Sequence, residues 1–174
     1  MDILDLIRAE IRRLHQGYDK AIADLTPEQW HWVPGTTCNT VAFSVWHYAR
    51  TEDNVVRFVI QRRPPVWLEG SWHERFGLPD KAQGTGMSTE EAHALRINDV
   101  EAFKRYMQGV WQATDELLAN PPPGFTDEVT VVKPLGEMTK VQAVAQTCVS
   151  HGFAHLGQIE LLRSLMGLAS ATGI

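Results

Sequence analysis

His151 and His155 stand four residues apart in the stretch SHGFAHLGQI. On a helix, residues at i and i+4 share one face, with Cβ atoms roughly 5–6 Å apart. Two imidazoles in that relation suit a single metal ion, as in the helical His-x-x-x-His pairs of zinc enzymes. Two ligands rarely make a stable site, so a third donor has to come from another element. The best candidate is His47 in FSVWHYARTEDN, mid-way along an apolar helical pattern and on one stripe with Phe43, Asn54 and Phe58. Three neutral imidazoles from two helices leave positions open for water or substrate. Such a site lowers the pKa of a bound water toward roughly 7, polarises a carbonyl, or holds a thiol as thiolate. The competing reading is a hydrogen-bonded polar network in the core, and pattern alone leaves the two open.

Other residues also have chemistry to offer. Gln158, one turn past His155, could orient that ring or a ligand water, or be an ordinary helix-edge amide. Arg50 could hold an anionic substrate group, although an arginine beside TED more often pairs on a solvated face. Glu52 and Asp53 read as surface residues or as support behind the ligands. Cys148 reads as a small buried hydrophobe, and nothing near Cys38 stabilises a thiolate. Trp72 and His73 could close over the metal from the long connection, although packing alone would explain Trp72 and His73 could be exposed. His15, His31 and His93 have no partner pattern and read as structural or surface residues.

Four helical patterns would position these groups. The first spans about 3–25, with Ile3, Ile7, Ile11, Leu14, Tyr18 and Ile22 at steps of three and four. TPEQW follows as a short capped turn. The second helix begins after Asn39 or Thr40 and runs to about Gln61, where RRPP ends it. Residues 62–87 are rich in Gly and Pro but hold Trp67, Trp72 and Phe76, which predicts an ordered excursion packed over the bundle. The third helix opens at Ser88 with Glu91 as capping-box partner and runs to about Ala119. EVTVV, within 125–138, is a short β-like run. The last helix opens at Thr139 with Gln142 and ends near Gly167. The pattern predicts an all-α four-helix bundle with its topology open, in one domain over 1–174.

Bulk properties narrow the function classes. A 174-residue chain with 44% hydrophobic and 21% charged residues builds one full-sized core. Net charge is −5, and no Lys/Arg stripe marks a nucleic-acid surface. No window approaches 18 consecutive apolar residues, and the acidic, amphipathic start is unlike a signal peptide. Two cysteines make no disulfide framework. These features predict a soluble cytoplasmic protein that binds neither nucleic acid nor membrane; a homodimer is open.

NTVAFSVWHYARTEDNVV, GTGMSTEEAHALRINDVEAF and PLGEMTKVQAV…HGFAHLGQIELLRSLMGL, with LTPEQWHWVPG before them, together resemble the DinB/YfiT-like superfamily over nearly the whole chain. The resemblance implies a four-helix bundle of up-down-down-up course. It implies a divalent metal, zinc or nickel foremost with iron or manganese as alternatives, on His47, His151 and His155. It further implies a small-molecule enzyme: a thiol S-transferase using a low-molecular-weight bacterial thiol, or a hydrolase. The rival class is a non-enzymatic metal-binding or stress-response interaction protein whose ion only cements the core. The two differ in coordination, since a structural site is closed and a catalytic one keeps an exchangeable position.

Overall fold

Side chains that can satisfy free backbone N–H groups mark where the helices start. In the computed structural model, which describes residues 2–173, Asp2 caps helix α1 (Ile3–Ile22) by accepting from the N–H groups of Leu4 and Asp5. Thr26 and Gln29 form the expected capping box around α2 (Pro27–Trp30). Thr40 caps α3 (Val41–Asp53), which runs on without interruption as a π-helical stretch, Asn54–Ile60. Helices α4 (Val66–Glu69) and α5 (Trp72–Phe76) lie within the excursion. Ser88 and Glu91 box the start of α6 (Thr89–Ala94), and Asp99 caps α7 (Val100–Ala119). Strands β1 (Val129–Val132) and β2 (Gly136–Thr139) pair antiparallel, with Val132 opposite Gly136. The final helical run opens on the Thr139–Gln142 box as α8 (Lys140–Ala143), passes through a second π-helical stretch, Val144–Ser150, and ends as α9 (His151–Leu165).

Helices α1, α3, α7 and α9 make the bundle: α9 packs on α1 and α3, and α7 packs on the same two. Leu14, Tyr18, Trp46, Tyr48, Phe103 and Ile159 fill its centre. The all-α expectation holds, with a single β-hairpin added where EVTVV stood as a β-like run. No helix among the described residues is long and apolar enough to cross a membrane.

Two expectations need correction. The third helix is not continuous from 88 to 119: the chain leaves helical geometry at Leu95 and restarts at Asp99. The break buries Leu95 and Ile97 and gives α7 its own cap, so packing overrides a continuous helical pattern. His31 holds the break, with Nδ1–H donating to the Pro27 carbonyl at 2.7 Å and Nε2 accepting from Ile97 N–H at 3.0 Å. Second, Arg50, Glu52 and Asp53 are not on a solvated face; all three are buried. The Glu52 carboxylate accepts from His15 Nε2 at 3.0 Å, the Tyr48 hydroxyl at 2.5 Å and the Thr114 hydroxyl at 2.5 Å. His15 stacks on Trp111 with ring centroids 3.9 Å apart. A buried carboxylate persists only with such partners.

The close approach of α9 to this network depends on Gly152, between the two histidines of HGFAH. A Cβ there would lie 2.6 Å from Tyr48 Cε2 and closer still to Leu14 Cδ2. The Gly152 carbonyl also accepts from the Tyr18 hydroxyl at 3.1 Å. Gly152→Ala should therefore overpack the α1–α3–α9 junction and cost about 1–3 kcal/mol, read as a lower unfolding midpoint in denaturant; an unchanged midpoint would show that α9 can back away freely.

Candidate metal centre

His47 lies on α3, and His151 and His155 begin α9, one turn apart. All three rings are half-buried, and one nitrogen from each lies within 4.8 Å of the others. His151 Nε2 is 3.1 Å from His47 Nε2 and 3.0 Å from His155 Nε2. The rings meet nearly edge-on, with interplanar angles of 82°, 75° and 83°.

The far nitrogens indicate the tautomers of two rings. His47 Nδ1–H donates to the Gln83 carbonyl, which can only accept. His155 Nδ1–H donates to Gln158 Oε1 at 2.9 Å. His151 Nδ1 is buried without a well-formed hydrogen bond, and the Thr147 carbonyl one turn earlier is the acceptor acting on it. With Nδ1–H engaged on His47 and His155, both of those rings turn an Nε2 lone pair toward His151 Nε2. Burial lowers all three pKa values below the ordinary 6.5, and neighbouring imidazoles lower those of His151 and His155 further. His155 falls to about 4. Convergent lone pairs on neutral rings repel unless a cation lies between them. Their spacing is near the roughly 3.3 Å expected of nitrogens about 2.0–2.1 Å from a tetrahedral ion. The donor set fits a divalent metal, and it is three donors rather than a closed four.

The triad sits in the wall of a cavity of about 1030 Å³. Phe43, Asn54 and Phe58 line it, as their shared stripe with His47 implied. So do Gln146 and Thr147 of the second π-helical stretch and the β1–β2 turn. Both ligand-bearing helices thus widen to π geometry where they border the cavity, an irregularity frequent at functional sites.

Several candidate residues take other places. Gln158 lies within hydrogen-bond reach of His155, its Oε1 2.9 Å from Nδ1. Arg50 is not among the cavity-lining residues: it pairs with Asp53 at 3.4 Å, donates to the Asp80 carbonyl at 3.3 Å and lies 5.0 Å over the Trp67 ring. Trp72 and His73 do not close over the triad. Trp72 packs on Phe76 and Tyr106, and His73 faces Glu74 at 3.8 Å. Cys148 is fully buried, and desolvation followed by Glu52 raises its thiol pKa well above the usual range, so it stays a neutral thiol. Cys38 is exposed, with its carbonyl accepting from His93 Nε2 at 2.6 Å.

What covers His47 is the later part of the excursion, around Gln83 and Gly84. Gly84 has φ +94°, and a Cβ there would lie 2.9 Å from His47 Nδ1 and 3.0 Å from Trp46 Cζ3. Only glycine lets this backbone come near enough for the Gln83 carbonyl to take the imidazole proton. Reading 62–87 for its aromatics passed over Gly84; the signal was the glycine pair in QGTG, a stretch capable of left-handed backbone. Asp53 anchors the start of the same excursion, accepting from Val66 and Trp67 N–H at 2.8 and 2.9 Å.

The sequence pattern of the DinB superfamily matches residues 10–159. The chain belongs to the DinB superfamily. A crystal structure described as a conserved protein from Enterococcus faecalis superposes with a TM-score of 0.83 at 22% identity, covering 96% of this chain and 99% of that one. At that identity the likeness is one of fold. No curated protein matched the chain.

Two outcomes test the geometry of this DinB-superfamily site. In the unfolded chain the triad histidines titrate near 6.5, whereas in the folded protein they resist protonation to lower pH. The unfolded state then binds more protons across that window. Stability of chelator-treated protein should therefore fall as pH drops from about 6.5 toward about 4. His155→Gln should flatten that slope in denaturant titrations, and parallel slopes would contradict the assignment. Gly84→Ala should weaken metal retention about tenfold or more, by displacing the carbonyl that holds His47; competition with a chelator measures it.

Proposed function

We propose that the protein is a metal-dependent enzyme acting on a small molecule. The ion, zinc or nickel foremost, is held by His47, His151 and His155. The observation that carries this reading is three neutral imidazoles converging in the wall of a large cavity, with no fourth His, Cys, Asp or Glu grouped with them among the described residues. An ion held only to cement the core calls for a closed donor set; this one is open on the cavity side. A divalent ion there supplies Lewis acidity, which favours the deprotonated form of a water or thiol and polarises a carbonyl.

The chain's own residues contribute position and polarity. Gln83 and Gln158 set two rings with Nε2 toward the cavity. The Glu52–His15–Tyr48–Thr114 network behind α3 carries no cavity-lining atom and acts by holding the helix that bears His47. No aspartate or glutamate is among the described cavity-lining residues. Hydrolysis usually calls on a carboxylate or histidine as general base, whereas a thiol ionises far more readily than water. That favours transfer to a low-molecular-weight thiol over hydrolysis. In such a transfer the sulfur–carbon bond forms as the bond to the leaving group breaks; the leaving group departs with its electron pair and the thiol proton passes to solvent.

The test is the metal content of tag-free protein by elemental mass spectrometry, beside His151→Ala and His155→Ala. Near-stoichiometric metal in wild type, with at least a tenfold loss in either variant, is the expected result. Folded protein that stays metal-free after exposure to zinc and nickel would overturn the reading. With metal bound, thiols should be consumed against electrophiles faster than ester or amide substrates are hydrolysed.

A further inference from the structure

The cavity that holds the triad has a charge pattern opposite to that of the chain. The protein has 21 acidic and 16 basic residues, yet the described cavity lining contains no carboxylate and three cations: Arg62, Lys81 and Lys133. They come from three separate segments: the end of the π-helical stretch after α3, the excursion, and the β1–β2 turn. Among the described residues none of the three side chains has an ion pair or hydrogen bond. Elsewhere Arg12, Arg13, Arg57, Arg75 and Arg163 are each engaged by a carboxylate.

Arg62 is further distinguished by its backbone. It has φ +58°, and Arg63 N–H closes the helix end onto the Arg57 carbonyl at 2.9 Å. This is the left-handed position after a helix that glycine usually fills. The chain places a long cation there instead. Beside it the mouth is apolar: Phe58 is 57% exposed, Val131 50% and Leu135 49%, and all three line the cavity.

We propose that the cavity selects an organic anion, a carboxylate or phosphate ester joined to an apolar body, with Arg62 holding the anionic group. The guanidinium presents paired donors that match two oxyanion oxygens. Lys81 and Lys133 add attraction at the mouth. Phe58, Val131 and Leu135 cover the apolar body. The proposal deepens the small-molecule reading above and does not depend on which ion, if any, the triad holds.

The experiment therefore uses chelator-treated protein at pH 8, with metal content measured separately, and titrates three matched probes by calorimetry. These are 4-phenylbutyrate, its neutral amide, and phenethyl phosphate. At least one anion should bind about tenfold tighter than the amide, a difference that shrinks with added salt. The preferred anion separates carboxylate from phosphate ester as the class recognised. Arg62→Gly should leave stability equal or higher, because glycine suits the left-handed backbone, while weakening anion binding at least threefold and leaving the amide unchanged. Arg62→Gln is the companion variant. Equal affinity for amide and anions, or full anion affinity in both folded Arg62 variants, would overturn the proposal. A wild type that discriminates charge but takes up neither zinc nor nickel when each is offered would refute the metal reading alone.

Discussion

Three uncharged imidazoles are held with His151 Nε2 3.1 Å from His47 Nε2 and 3.0 Å from His155 Nε2, and the structure around them has to sustain that crowding. The rings cannot relieve it by taking up protons readily, because burial and mutual repulsion oppose a charge. They cannot rotate away freely, because two of them are tied at Nδ1 to the Gln83 carbonyl and the Gln158 amide. A cation at the meeting point would relieve the crowding, and the three histidines could hold one. The glycine at 84 and the excursion's return to α3 hold His47 in this arrangement.

Polar groups buried on α3 do much of the positioning. Glu52 faces the bundle interior, gathering His15 from α1 and Thr114 from α7. Asp53 and Arg50 face the excursion, one holding the backbone of Val66 and Trp67 and the other the carbonyl of Asp80. Desolvation raises the Asp53 pKa, and its backbone partners and Arg50 oppose that rise. Tyr48 reaches Glu52 and lies 3.1 Å from the Cys148 carbonyl, so the run leading into His151 is fastened to the helix that carries His47. One helix thus sets the triad from behind and builds the wall in front of it.

Some of this was legible in the residues. The capping boxes at Thr26, Ser88 and Thr139 formed as their spacing indicated, because capping is decided within one turn of chain. The stripe of Phe43, His47, Asn54 and Phe58 reached the cavity because helical period fixes which residues share a face. The break at Leu95, the burial of Glu52 beside a charged run, and the role of Gly84 were not legible. Each depends on what another segment brings: Ile97 on His31, Glu52 on His15 and Thr114, Gly84 on the rings of α3.

The sequence by itself determined the helical class, the capped starts at Thr26, Ser88 and Thr139, and the choice of His47, His151 and His155 as candidates, all of which follow from residue type and local period. Only the tertiary structure decided that the three Nε2 atoms converge, which backbone carbonyl takes the His47 proton, and that the cations at 62, 81 and 133 line one cavity. The physical reason is that periodicity constrains a side chain to a face of its own helix. Lone-pair convergence, desolvation and charge segregation are properties of the space between elements, and that space exists only once they pack.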